Sequence, residues 1–312
     1  MLVNFRSLLV LASLASSTLA AAVAAGCNGD TRLCGRKYSN VTQIGAHNSA
    51  FVGELPTQNQ GLEVEGQLDM GIRFLQAQVK AAPLTTSSGA HPLQTHKFLG
   101  ELFMCHTSCF LLNTGLLVDY LTRINAWMVA HPNEVVTLLL TNQDKVDVSV
   151  FGKAMADSGL AKLAYTPPKK IALNEWPTLQ EMIKSNKRLV VSLDYHADTA
   201  KVPYILDEFA YSFETPFSQT DPNFAQCKVD RPPNASSAGR FAIVNHVLDI
   251  AIGDGVLIPA ILEVEKTNSV ASIMAQVGLC QKAHGTTPNF ILVDYAERGE
   301  VIKAQNILNH LA

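Results

Sequence analysis

The chain has 312 residues with 24 basic and 27 acidic side chains, a net charge of −3, and 47% hydrophobic residues. That length suffices for one large core. The near-balanced charge argues against nucleic acid or an anionic membrane surface as an electrostatic partner.

Residues 1–25 place one cation, Arg6, ahead of the apolar run Leu8–Leu14, followed by small residues and alanines. This order is that of a secretory signal, and the run is too short to span a bilayer. The sequence therefore predicts a signal peptide over 1–25 and a single domain over 26–312, secreted to the medium or the cell wall.

Six cysteines remain, Cys27, Cys34, Cys105, Cys109, Cys227 and Cys280, an even number that suits disulfides in an oxidising compartment. Six thiols allow many pairings. Sequence proximity suggests Cys27–Cys34, Cys105–Cys109 and Cys227–Cys280. A zinc site is the alternative, but no pair shows the two-residue spacing such sites use. Asn40-Val41-Thr42 and Asn234-Ala235-Ser236 are glycosylation sequons. The last residues carry no hydrophobic tail of the lipid-anchor kind.

Apolar, β-branched segments predict strands over 41–46, 72–79, 101–105, 134–141, 187–194, 209–214, 240–246 and 289–294. Amphipathic patterns predict helices over 115–130, 148–163, 178–185 and 299–311, with Pro132 and Pro177 at helix edges. Strands as continuously apolar as Val135–Leu140 and Leu189–Leu193 are buried on both faces, as in parallel sheets. Alternating strands and helices over one such domain point to an α/β fold, an irregular (β/α)8 TIM barrel.

In such barrels the strand C-termini converge on one face, where the active site sits. Several polar residues fall at or near predicted strand ends: His47, Gln76, Gln78, His106, Asn142, Asp194, Asn245, His246 and Asp294. Two imidazoles at one mouth can take a proton from one oxygen and return it to another, because histidine titrates at about 6.5. The other histidines, His91, His96, His131, His196, His284 and His310, fall in loops or at helix ends and read as solvated, with His196 near enough to strand five to reach the mouth. Strand alternation puts Arg73 on the face opposite Gln76, which predicts an ion pair behind the barrel.

The motifs Gly45-Ala46-His47-Asn48-Ser49, Gly71-Ile72-Arg73-Phe74-Leu75-Gln76, Cys105-His106, Asn133-Glu134 through Leu140, Val190 through Tyr195 and Leu292-Val293-Asp294-Tyr295 span nearly the whole chain. In this order they resemble the phosphatidylinositol-specific phospholipase C X-domain family, and more closely its secreted fungal members. The resemblance implies His47 as general base, His106 as general acid and Asp294 as the carboxylate that orients the base. Asn48, Gln76, Gln78, Asp194, Asn245 and His246 are then the candidate substrate-binding residues, and His246 could equally support a neighbour.

Two departures matter. Bacterial members carry an Asp and an Arg where this chain has Gln76 and Gln78, and animal members carry acidic calcium ligands there. Asn48 follows the calcium-dependent pattern, but one amide and two neutral glutamines make a poor calcium site, so no metal and no cofactor is expected. Lys80 offers a substitute cation only if strand two continues that far.

The function expected is thus a secreted phosphoric diester hydrolase acting on a phospholipid or small phosphodiester such as a phosphoinositide headgroup, with peripheral membrane contact as an option, no nucleic acid, and oligomeric state open. The alternative is a barrel that binds a headgroup or glycan without cutting it. Glycerophosphodiester phosphodiesterases and sphingomyelinases D resemble this barrel too, but need a carboxylate pair where Gln76 and Gln78 stand.

Overall fold

The computed structural model describes residues 26–81, 100–253 and 256–312. The predicted signal peptide, the loop run 85–89, His91 and His96 lie outside them. In chain order the elements are β1 (Gln43–Ala46), α1 (Val64–Asp69), β2 (Phe74–Ala77), β3 (Val79–Ala81), β4 (Leu102–Cys105), β5 (Asn113–Leu116), α2 (Leu117–Ala130), β6 (Val136–Leu140), α3 (Val148–Asp157), α4 (Leu179–Lys184), β7 (Leu189–Leu193), β8 (Ile205–Asp207), α5 (Glu208–Tyr211), β9 (Ser212–Glu214), β10 (Phe241–Asn245), β11 (Asp249–Ile252), β12 (Val256–Pro259), α6 (Val264–Thr267), α7 (Val270–His284), β13 (Phe290–Val293) and α8 (Val301–Leu308).

Eight strands form one parallel sheet in the order β8-β7-β6-β2-β1-β13-β10-β9. This is the expected α/β barrel in irregular form: the sheet curls, and among the described residues its edge strands β8 and β9 do not pair with each other. Both faces of the strands are buried, as their apolar runs demand. Leu75, Leu138, Leu140, Val191, Val244, Ile291 and Val293 pack towards the helices. The alternate residues Phe74, Leu139, Val190, Leu206, Phe241, Ile243, Phe290 and Leu292 fill the lumen.

At the strand N-termini the lumen is closed by Tyr38 and Trp176, whose rings lie 4.9 Å apart. Gly45 is required by this filling, since a Cβ there would sit 2.4 Å from Phe74 Cδ1 and 2.9 Å from Leu292 Cδ2. The helices carry their own start signals: Asp147 caps α3, Thr178 and Glu181 form a capping box on α4, and Ser269 caps α7.

Three expectations need correction. The segment 101–105 is not a barrel strand: β4 pairs antiparallel with β3 and β5 in a separate three-stranded sheet. The expected second strand breaks at Gln78, between β2 and β3, so Lys80 belongs to that separate sheet and reaches Gln143 and Asp144 instead of the barrel. The segment 209–214 begins as the single helical turn α5, because the Asp207 side chain caps it through Ala210 N. The barrel strand missing from the sequence reading is the three-residue β8.

The disulfides are Cys27–Cys34, Cys105–Cys109 and Cys227–Cys280, as proximity suggested. Arg73 pairs with Glu134 at 2.7 Å and lies over the Trp127 ring, away from the mouth. No helix among the described residues is long and apolar enough to cross a membrane.

Candidate functional site

Strand parity decides what reaches the mouth. Stepping by two from the inward Gly45, Phe74, Ile243 and Leu292 reaches His47, Gln76, Asn245 and Asp294, and from Val190 the same step reaches Ser192 and then Asp194. His246 has the opposite parity and points into the helix layer. There it is fully buried, stacked on Phe224, and held by the Thr267 carbonyl at 2.8 Å and the Gln276 amide at 2.5 Å. Both ring nitrogens are used, so the structure removes His246 from the candidate site.

His47 follows β1 and sits beside Asp294 because β1 and β13 are paired neighbours. Its Nδ1 donates to Asp294 Oδ1 at 2.7 Å, which leaves Nε2 facing the mouth, with 22% of the side chain exposed. Burial disfavours the charged ring, but the Asp294 carboxylate, with Asp249 and Glu214 further off, outweighs it and raises the His47 pKa.

His106 arrives from the antiparallel sheet, directly after Cys105, at the start of the loop closed by the Cys105–Cys109 disulfide. Its ring stacks on Phe51 at 5.1 Å. Nδ1 donates to the Thr57 carbonyl at 2.6 Å, and Nε2 lies 3.3 Å from Asn48 Nδ2. Burial lowers its pKa, with the Thr57 bond working against that shift. The two histidines are therefore biased in opposite directions.

A chain of amides joins them. Asp294 Oδ1 can only accept, so Asn59 donates to it through Nδ2 at 3.1 Å. Asn59 Oδ1 then accepts from Asn48 Nδ2 at 3.1 Å, and the same nitrogen faces His106 Nε2. The direction of every bond follows from the carboxylate end. His106 Nε2 is thus the acceptor nitrogen and Nδ1 carries the proton.

Beyond the histidines the mouth is lined by acids. Asp194 accepts from Asn142 N at 2.6 Å and leaves Oδ2 buried without a partner among the described residues, and burial pushes its carboxyl up to about 6. Asn245 is committed to Glu214 Oε2 and the Thr215 carbonyl, and Glu214 in turn holds Arg231 at 2.5 Å. Burial, and after it the neighbouring Glu214 charge, raises the Glu208 pKa well above its ordinary value. Asn142 is spent on Val146 and the Tyr195 carbonyl, and His196 is exposed with no bond into the site among the described residues.

Asn59, Thr57, Glu214, Arg231 and Asp249 were not found from the sequence. Glu214 and Asp249 could have been, since each sits at an end of an apolar segment.

A calcium ion would have to use Asn48, Gln76 and Gln78. Asn48 Oδ1 is fully buried. Gln76 Oε1 accepts from Asn48 N, and Gln78 Oε1 from Thr107 N. No three His, Cys, Asp or Glu side chains converge on a metal position among the described residues. Calcium requires several oxygens, carboxylates among them, and this donor set does not fit it.

The family model described as PI-PLC X 1 matches residues 33–309. The chain is 44% identical over 308 residues to PI-PLC X domain-containing protein 1 of Arthroderma benhamiae, covering 97% of this chain and 95% of that one. It is 42% identical over 287 residues to a protein of the same organism named an uncharacterized secreted protein, covering 88% of this chain and 61% of the relative. In fold it is similar to phosphatidylinositol-specific phospholipases C from Staphylococcus aureus (TM-score 0.54, 15% identity, 88% of this chain and 93% of that one) and Listeria monocytogenes (TM-score 0.52, 12% identity, 88% and 94%). With an α/β barrel, two imidazoles at its mouth and a family match over most of its length, the chain belongs to the PI-PLC X domain family.

Proposed function

We propose that the protein is a secreted phosphoric diester hydrolase of the phospholipase C type. The observation that carries this reading is the pair of imidazoles at one mouth, linked through Asp294, Asn59 and Asn48. His47 Nε2 takes the proton of a hydroxyl adjacent to the phosphate. That oxygen bonds to phosphorus, and the bond to the leaving oxygen breaks as His106 protonates it. Such proton transfers supply roughly 10²–10⁴-fold. The resting charges favour the reverse protonation, an imidazolium at His47 and a neutral ring at His106 with its proton on Nδ1, and the bound diester's negative charge draws a second proton onto His106 Nε2.

The substrate is a phospholipid or small phosphodiester, and the named activity of the structural neighbours supports a phosphoinositide. Exposed apolar side chains beside the mouth, Phe110, Leu111, Ile250, Ile252 and Val256, support peripheral contact with a lipid surface. Three disulfides and a relative named as secreted support export.

The test is hydrolysis of phosphatidylinositol and of a soluble inositol phosphodiester by wild type, His47→Ala and His106→Ala, with phosphorus NMR of the products. The expected result is a cyclic phosphate from wild type and a loss of about 10²–10⁴-fold in each variant. Equal rates in all three would favour the second reading, a headgroup-binding barrel without turnover, which the uncharged Gln76 and Gln78 support.

A further inference from the structure

Resting on the phosphodiesterase reading, we propose that the side-chain amide nitrogens of Gln76 and Gln78 are the phosphoryl-oxygen donors of this site, two fixed neutral dipoles in place of a charge. An amide offers one acceptor and one donor end, and a backbone N–H can bond only to the acceptor. Asn48 N donates to Gln76 at 2.8 Å and Thr107 N donates to Gln78 at 3.0 Å, so both Oε1 atoms are assigned and both NH2 groups point the other way. Neither Nε2 has a hydrogen-bond partner among the described residues. Neither is among the buried unpartnered atoms, where Gln43 Nε2 is found, so neither is sealed from solvent.

The two anchoring N–H groups belong to the residues that immediately follow His47 and His106. Both residues are left-handed, Asn48 at φ 50° and Thr107 at φ 61°. Asparagine tolerates that conformation, but for a β-branched threonine it is a genuine outlier costing about 1–3 kcal/mol. Strain of this kind persists where the surroundings over-determine it, and here its result is that each histidine's successor aims its N–H at one glutamine. Each amide donor is thereby keyed to one of the two proton-transfer groups. In this proposal the non-bridging oxygens of a phosphorus held between the rings accept from both amides.

Donors that are already oriented cost no reorganisation as charge builds on those oxygens, which is why removing one such donor costs about 10²–10³-fold in kcat. Glutamate is the informative substitution: it keeps an oxygen for the backbone N–H while replacing the outward NH2 by a second acceptor.

The experiment measures inorganic phosphate binding from the NMR shifts of the His47 and His106 rings, alongside turnover of a soluble inositol phosphodiester, in wild type, Gln76→Glu and Gln78→Glu. Thermal melts check that each variant is folded, and Gln78 is the less buried of the two. Phosphate affinity is expected to fall at least tenfold and kcat by about 10²–10³-fold in each variant, and wild-type turnover is expected to survive a chelator. Wild-type phosphate affinity in both folded variants would overturn the proposal. So would wild-type turnover that a chelator abolishes and calcium restores. A wild type that binds phosphate in this way but cleaves no diester would defeat the phosphodiesterase reading and leave the donor assignment standing.

Discussion

Asp294 Oδ1 receives two hydrogen bonds, from His47 Nδ1 and Asn59 Nδ2, and through Asn59 and Asn48 it also sets which nitrogen of His106 carries the proton. Removing its charge while keeping its shape therefore separates orientation from electrostatics. The carboxylate raises the His47 pKa, so Asp294→Asn must lower it. In the proposed reaction His47 acts unprotonated, and its pKa, the higher of the pair, sets the alkaline limb of the bell-shaped kcat/KM profile. That limb is expected to move towards acid, and kcat to fall by about 10²–10⁴-fold. A limb that stays in place would show that Asp294 does not act on His47 through its charge. At this scale His47, Gln76 and Asp294 were legible because strand alternation and short motifs mark them. The same alternation excludes His246, since Asn245 and His246 cannot share a face. Asn59 and Thr57 carried no signal, because they lie in a loop that only the folded chain brings under the mouth.

The eight barrel strands were largely legible as apolar runs, but the two exceptions have clear physical causes. Leu102–Cys105 is as apolar as any barrel strand, and composition does not distinguish a strand in a hairpin sheet from one in a barrel. Ile205–Asp207 is too short to show a period at all. The misplaced β4 still delivers His106 to the mouth, and its disulfide explains how. Cys105–Cys109 spans four residues, so in the chain-entropy picture it contributes about 2 kcal/mol, whereas Cys227–Cys280, spanning 53, contributes about 4 kcal/mol. The first loop carries His106, and the second ties the segment before β10 to α7. Replacing Cys105 and Cys109 by alanine is expected to cost about 2 kcal/mol in urea melts and at least tenfold in kcat, because a ring displaced by about 1 Å loses its near-attack geometry. Replacing Cys227 and Cys280 is expected to cost more stability and leave kcat within twofold in the folded protein. The reverse pattern would assign Cys105–Cys109 to stability alone.

The molecule presents two unlike ends. The sequon asparagines Asn40 and Asn234 are exposed. Asn40 precedes β1, and the loop of Asn234 is tied by Ser237 to His284 at the end of α7, so glycans attached there would stand at the strand N-termini. The mouth end carries the hairpin β11–β12, whose Ile250, Ile252 and Val256 are 46%, 44% and 60% exposed, and the disulfide loop, whose Phe110 is 99% exposed. An apolar rim around the mouth is suited to meeting a bilayer with the histidines facing the headgroups. Asp249, at the root of the hairpin, is pushed up to about 6 by burial and by the Asp294 charge. It is neutral below that pH and charged above it, so insertion should weaken as pH rises through 6. Replacing Ile250 and Val256 by aspartate is expected to lower partitioning onto phosphatidylinositol-containing vesicles at least tenfold, since each loses about 1 kcal/mol or more of apolar burial. Turnover of a soluble diester should be unchanged, because neither side chain lies in the proposed catalytic machinery. Unaltered partitioning would mean that the hairpin stays in water, and that lipid reaches the histidines by another approach.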